Sequence, residues 1–267
     1  MNILYGEERR KTPRAEKIDI CGVRVDNATM SESVETIGRL VTKGASDYVV
    51  TPNVDHVVRF QDDDAFRRVY AKAALVLADG MPLLWAGKYL GKPFKEKVSG
   101  SDLVPALCAA AVKKNHRLFF LGGRPGAAAL AKTKLEARYP GIRIVGHYAP
   151  AFGFEYDAAE NTRIIGMIRE TAPDILLIGL GSPKQEKWAH QHGSKTGVPV
   201  MVGVGVTFEF IAGMVSRAPK FMQRSGLEWL WRLLSEPTRL WRRYLLDDPR
   251  FFWLLFKQKT APAVPIP

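Results

Sequence analysis

The feature that most restricts this chain is a set of short runs that stay apolar on both sides of the backbone. Ile175-Leu-Leu-Ile178 and Leu118-Phe-Phe-Leu121 show no alternation with polar residues. A strand with one wet face alternates, so an unbroken run needs cover on both faces, as in a parallel sheet flanked by helices. Strands are expected near Lys17–Val25, Asp47–Thr51, Ala74–Leu77, Arg117–Leu121, Ile142–His147, Asp174–Gly179 and Pro199–Val204. Helical spacing predicts helices over 30–43, 54–72, 81–90, 101–114, 125–139, 157–171, 183–192 and 206–213. The fold class that follows is α/β, a Rossmann-like, largely parallel sheet with helices on both faces. At 267 residues the chain can bury such a core without staples. Its two cysteines, Cys21 and Cys108, form neither a disulfide framework nor a zinc or redox motif, which suits a reducing, cytoplasmic compartment.

Two further features bound the function. The longest uncharged stretch, Thr196 to Phe208, has 13 residues with three glycines and a proline, well short of a membrane span of roughly 20. The charged N-terminus reads as neither signal nor anchor. Thirty-nine Lys and Arg against 27 Asp and Glu give +12, which points to anionic partners. The excess is concentrated late in the chain: from Arg217 to Lys259 there are ten Lys or Arg, four Asp or Glu, and four of the six tryptophans. Residues 1–215 therefore read as an α/β catalytic domain, with 1–16 flexible. Residues 216–259 read as a basic, Trp-rich amphipathic helical appendage of two or three short helices, and 260–267 as a disordered tail. Arg beside Trp on amphipathic helices suits an anionic membrane surface. No RNA-binding signature or helix-turn-helix pattern supports a nucleic-acid partner.

Ligands of open α/β sheets bind beyond the carboxyl ends of strands, and polar groups collect there in this sequence. Thr51 and Asn53 follow one strand and precede a helix. Asp79, with Gly80 beside it, ends another; a carboxylate so placed has its pKa raised by desolvation and can serve as a general base. Gly122-Gly123-Arg124 and Gly181-Ser-Pro-Lys184-Gln185 form two strand–glycine turn–helix junctions, a phosphate-binding geometry. The first is not G-x-G-x-x-G and has no acidic residue about 20 residues on, so no nicotinamide cofactor is expected. Glu209 sits among apolar residues and needs a partner from protein or ligand. Helix capping is the ordinary alternative for Asn53 and Asp79. Asp62-Asp-Asp64 reads as a solvated helix start, and His190-x-His192 lacks a third ligand, so no metal is assigned. Ser99, Ser101 and Ser182 lack a G-x-S-x-G context.

Taken in order, Thr51-Pro-Asn53, Ala78-Asp79-Gly80, Val98-Ser-Gly-Ser-Asp102-Leu, Phe120-Leu-Gly-Gly123, Gly179-Leu-Gly-Ser-Pro-Lys-Gln-Glu186, Gly203-Val-Gly-Val-Thr-Phe-Glu-Phe-Ile-Ala-Gly213, Arg217-Ala-Pro219, Gly226-Leu-Glu-Trp-Leu-Trp-Arg232 and Glu236-Pro-Thr-Arg239 resemble the WecG/TagA/CpsF glycosyltransferases. The resemblance runs from about residue 18 to 246. It implies an inverting, metal-independent hexosyltransferase that moves a glucose- or N-acetylmannosamine-type sugar from a UDP-sugar to a polyprenyl-diphosphate-linked saccharide. The implied setting is bacterial surface polysaccharide synthesis, peripherally at the inner face of the cell membrane. It implies that Asp79 is the general base, that Thr51 and Asn53 line the pocket, and that Gln185 meets the donor. Glu209 stands where Asp is usual and Lys97 where Arg is common. The appendage docks at the membrane and brings arginines to the acceptor diphosphate, with Arg217, Arg224, Arg232, Arg239 and Arg243 as candidates. Beside this stand a UDP-uronic acid donor, for which Arg124, Lys97 and Lys184 are available cations, and a nonenzymatic nucleic-acid-binding protein. A Rossmann dehydrogenase comes third.

Overall fold

The structure is a computed structural model that describes residues 16–260. The expected flexible N-terminus and the segment after 260 lie outside the described residues, apart from Glu16 and from Thr260, which ends the last helix. The first expected strand is a hairpin instead: β1 (Lys17–Ile20) and β2 (Val23–Asp26) pair antiparallel. Cys21 and Gly22 between them have φ of 51° and 89°, the two positive values that a two-residue turn matched to strand twist requires.

The remaining strands are β3 (Asp47–Val50), β4 (Leu75–Val76), β5 (Arg117–Gly122), β6 (Arg143–Tyr148), β7 (Ile175–Gly179) and β8 (Val200–Gly203). They form one sheet in the order β4-β3-β8-β7-β5-β6, parallel throughout. The unbroken apolar runs are accounted for by two cores. Phe119, Leu121, Leu176 and Ile178 face one, and Leu118, Phe120, Ile175 and Leu177 face the other.

Helices α1 (Met30–Lys43), α2 (Val54–Asp62), α3 (Asp64–Lys72), α4 (Met81–Tyr89), α5 (Gly100–Lys114), α6 (Ala127–Arg138), α7 (Ala158–Thr171), α8 (Lys184–Thr196) and α9 (Thr207–Ala212) supply the cover. α1, α5, α6 and α9 bury Ile37, Leu107, Leu135 and Phe208 on one face; α2, α3, α4, α7 and α8 bury Val57, Phe66, Leu83, Ile164 and Trp188 on the other. The single helix expected over 54–72 is broken at Asp63, which leaves helical geometry and caps α3 by accepting from the Phe66 N–H at 2.9 Å. The aspartate triplet is thus a helix junction.

The appendage comprises α10 (Lys220–Arg224), α11 (Glu228–Ser235), α12 (Pro237–Arg242), a π-helical turn at Arg243–Asp247 and α13 (Arg250–Thr260). It is pinned at both ends to the α/β body. Arg217 donates two hydrogen bonds to Asp102, at 2.6 and 3.0 Å. At the other end α13 sinks Phe251 and Leu255 into the core beside the hairpin, and Gln258 bonds the Cys21 N–H and the Asp19 carbonyl at 2.7 and 3.0 Å. Between the pins, Gly226 has φ of +70° and lies so close to α4 that a Cβ would meet the Trp85 ring at 2.3 Å. Only glycine lets the arm lie down there.

Candidate active site

A cleft of about 550 Å³ lies where the appendage passes over the carboxyl ends of β3, β4 and β8. Thr51, Asn53, Asp79, Lys97, Gly181 and Gln185 line it from the α/β body; Glu228, Trp229, Arg232, Arg239, Arg243 and Tyr244 line it from the arm. Asp79 lies three residues past the end of β4, after Leu77 and Ala78. Its backbone N–H donates to the Pro52 carbonyl at 2.9 Å, and Gly80, at φ +95°, turns the chain into α4. The Asp79 carboxyl makes no hydrogen bond or ion pair among the described residues, so it caps nothing. Burial among protein atoms and the nearby Glu228 and Asp102 anions push it up to about 7, against the pull of Lys97 and Arg232. A carboxyl poised near neutrality and facing a cleft has the properties of a general base.

That displacement carries a stability signature. An acid with a raised folded pKa binds its proton more tightly when folded, so stability falls as pH rises from about 4 through about 7. Asp79→Asn should therefore melt higher than wild type at pH 8, by up to about 4 kcal/mol for a carboxyl moved from 3.8 to about 7, and no higher near pH 4. Thermal melts at the two pH values check this.

The neighbouring carboxyl behaves oppositely. Although burial pushes Asp102 up, hydrogen bonds from Arg217 and Ser99 and the Lys97 ammonium at 3.3 Å hold it well below the usual carboxylate range. Arg217 is thereby spent on Asp102, with Glu228 3.8 Å from its Nε. Thr51 donates to the Gly203 carbonyl at 3.3 Å. Asn53 caps α2, accepting from the His56 N–H at 3.4 Å, and also accepts from Arg243 at 3.1 Å. Gln185 is buried and braces the β8–α9 turn: its Oε1 accepts from the Gly205 N–H at 3.0 Å, and its Nε2 donates to Glu186 at 2.7 Å. Arg243 extends from the π-helical turn toward Asp55 and Asp248, at 3.8 and 3.7 Å.

Several expected site residues do not reach the cleft. The Gly122-Gly123-Arg124 turn is occupied from within, because Glu209 accepts from the Arg124 N–H at 3.0 Å, where a phosphate oxygen would sit. Glu209 thus finds its partner in protein, and the Arg124 guanidinium pairs with Glu236 of the arm. Gly122 serves strand packing instead: at φ +103°, a Cβ there would lie 2.7 Å from the Gly179 carbonyl. Gly122→Ala is expected to destabilise the fold by at least about 2 kcal/mol in chemical denaturation, since both backbone strain and overpacking oppose it. Lys184 turns away to pair with Glu155 and lies 4.0 Å over the Phe152 ring. Arg224 is exposed on α10 and does not line the cleft.

The cleft also contains groups not singled out from sequence. His56 is buried, its Nδ1 2.7 Å from the Tyr70 hydroxyl, and burial lowers it to about 4, so it is neutral. Asp248 is pushed up to about 7, chiefly by burial. Glu228 was visible only inside the Gly-Leu-Glu-Trp motif, and His56 only as the residue three after Asn53. Among the described residues no group of three or more His, Cys, Asp or Glu is placed to hold a metal ion. No helix among them is long and apolar enough to cross a membrane.

A parallel α/β body with an unpaired carboxyl at its strand ends, covered by an arginine-bearing helical arm, gathers a candidate acid–base group and cations in one cleft. The family model of the WecG/TagA/CpsF glycosyl transferases matches residues 18–264, and the chain belongs to that family. It is 32% identical over 223 residues to the N-acetylglucosaminyldiphosphoundecaprenol N-acetyl-beta-D-mannosaminyltransferase of Bacillus spizizenii, covering 84% of this chain and 83% of that one. It is 30% identical over 255 residues to the enzyme of the same name from Staphylococcus aureus strain MW2, covering 95% and 96%. The nucleic-acid-binding and dehydrogenase alternatives give way to a glycosyltransferase.

Proposed function

We propose that this chain transfers an N-acetylhexosamine, N-acetylmannosamine by analogy with its relatives, from a UDP-sugar to a polyprenyl-diphosphate-linked N-acetylglucosamine, inverting the anomeric carbon. The observation that carries the reading is the place of the Asp79 carboxyl, which lines the cleft with no hydrogen-bond or ion-pair partner among the described residues. In its ionised form it takes the proton of the acceptor hydroxyl while that oxygen forms a bond to the anomeric carbon. The bond from that carbon to the UDP oxygen breaks on the opposite face, and UDP leaves with the electron pair. Arg232, Arg239 and Arg243 line the cleft and offset diphosphate charge without a metal ion. Gln185 supports the donor side by fixing the Gly205 turn. The choice of a neutral N-acetylhexosamine over a uronic acid rests on the relatives, since Lys97, Arg124 and Lys184 and the cleft's own Arg239 and Arg243 are alike paired with carboxylates.

The lipid tail of such an acceptor stays in a bilayer, so the enzyme must work at a membrane surface. The arm carries Phe221, Leu234, Leu245, Leu246, Phe252, Trp253 and Phe256, each more than half exposed, among Arg and Lys side chains. This supports peripheral attachment to an anionic leaflet at the cytoplasmic face.

The stereochemical course tests the mechanism. Proton NMR of the product of an α-linked UDP-sugar, formed with a chelator present, should show the β anomer. An α product, or transfer that stops with chelator and returns with a divalent ion, would contradict it.

A further inference from the structure

We propose that Glu228, brought into the cleft on the first turn of α11, is a substrate-facing residue whose carboxylate accepts hydrogen bonds from the acceptor saccharide beside the hydroxyl that Asp79 deprotonates. The inference rests on the glycosyl-transfer reading above. Glu228 lines the same cleft as Asp79, and its side chain is 30% exposed there. It accepts no hydrogen bond from any described residue. Its one ion pair is with the Nε of Arg217, 3.8 Å away, and the terminal nitrogens of that arginine are already bonded to Asp102. Arg217 therefore holds Glu228 in place by charge and leaves its lone pairs open. Of the neighbouring acids, Asp102 is bound by Arg217 and Ser99, and Asp248, which also lines the cleft, is 9% exposed and faces the Arg243 guanidinium at 3.7 Å.

Charge decides which part of the acceptor belongs here. A carboxylate beside Asp79 repels a diphosphate, whereas sugar hydroxyls and amide N–H groups donate to it. The saccharide end of the acceptor then lies against Glu228 and Asp79, and its diphosphate lies toward Arg232, Arg239 and Arg243. Glu228 also acts on the base itself. Asp79 is faced by Glu228 and Arg232 from α11, Asp102 from α5, Lys97 from the segment before α5, Arg217 from the start of the arm and Arg243 from the π-helical turn. After burial, Glu228 is the largest influence raising it.

Glu228→Gln and Glu228→Ala, with thermal melts as the folding control, separate these roles from a structural one. Steady-state kinetics from pH 5.5 to 9 should use a UDP-sugar and a short-chain lipid-diphosphate N-acetylglucosamine. Both variants should raise the acceptor KM, roughly 10-fold or more for Ala, and leave the donor KM unchanged. Both should shift the acid limb of kcat/KM below its wild-type position near pH 7. If the Ala variant melts early, the near-isosteric Gln variant decides. Wild-type acceptor KM and an unmoved acid limb in an active Gln variant would overturn the inference alone. No transfer by the wild-type protein would overturn the functional reading and this inference with it.

Discussion

Asp79→Asn is expected to lose transfer by about 10²- to 10⁴-fold while binding UDP as tightly as the wild type. The amide keeps the size of the carboxyl and occupies the same place after β4, but it cannot take a proton from the acceptor hydroxyl. Because Asp79 makes no side-chain hydrogen bond or ion pair among the described residues, the substitution breaks no structural contact. The wild-type rate should rise with pH through about 7, as the carboxyl ionises, and the residual Asn activity should lack that limb. Single-turnover rates with UDP titrations check both halves. A variant with wild-type turnover would remove Asp79 as base, and one that fails to bind UDP would make its role structural.

The second large effect concerns the arm. Replacing Trp241, Leu245, Leu246 and Trp253 together by Ser is expected to abolish binding to anionic vesicles while the protein stays folded, with a lower melting temperature from the loss of their half-buried contacts. These side chains are 45, 55, 56 and 60% exposed, and none belongs to either core. At about half exposure each contributes about 1 kcal/mol to insertion, so four contribute about 4 kcal/mol, or roughly three decades in partition. High salt should weaken wild-type binding further through the arm's Arg and Lys side chains. Flotation with vesicles checks this, and a quadruple variant that still floats would move the membrane surface elsewhere. Removing everything after Val215 is a poorer test, because Phe251 and Leu255 of α13 complete the core under the hairpin. α13 buries Phe251 and Leu255 in the core, while Phe252, Trp253 and Phe256 are 62, 60 and 60% exposed.

How much of this was legible in the sequence follows from the range of the interactions involved. The parallel sheet was legible because cover on both faces is written locally, in runs such as Leu118–Leu121. The position of Asp79 was legible for a similar reason, since a lone carboxylate after a buried strand has few other places to go. The hairpin was not, because Cys21-Gly22 lies inside an otherwise strand-like run and only the backbone angles reveal the turn. The fate of the Gly122-Gly123-Arg124 turn was hidden by distance: the carboxylate that fills it, Glu209, lies 85 residues further on. Likewise the arginines of the arm look equivalent in sequence. Only the path of the arm over Trp85 separates Arg232, Arg239 and Arg243, in the cleft, from Arg217, committed to Asp102, and Arg224, outside it.

The most direct test of glycosyl transfer in this cleft is mass spectrometry of a lipid-diphosphate N-acetylglucosamine acceptor, incubated in detergent with the protein and a panel of UDP-sugars. UDP-N-acetylmannosamine should add one N-acetylhexosamine to the acceptor with one UDP released per transfer, and UDP-glucose and UDP-uronic acids should add little. An acceptor left unchanged by every donor, with no UDP bound by the protein, would contradict it.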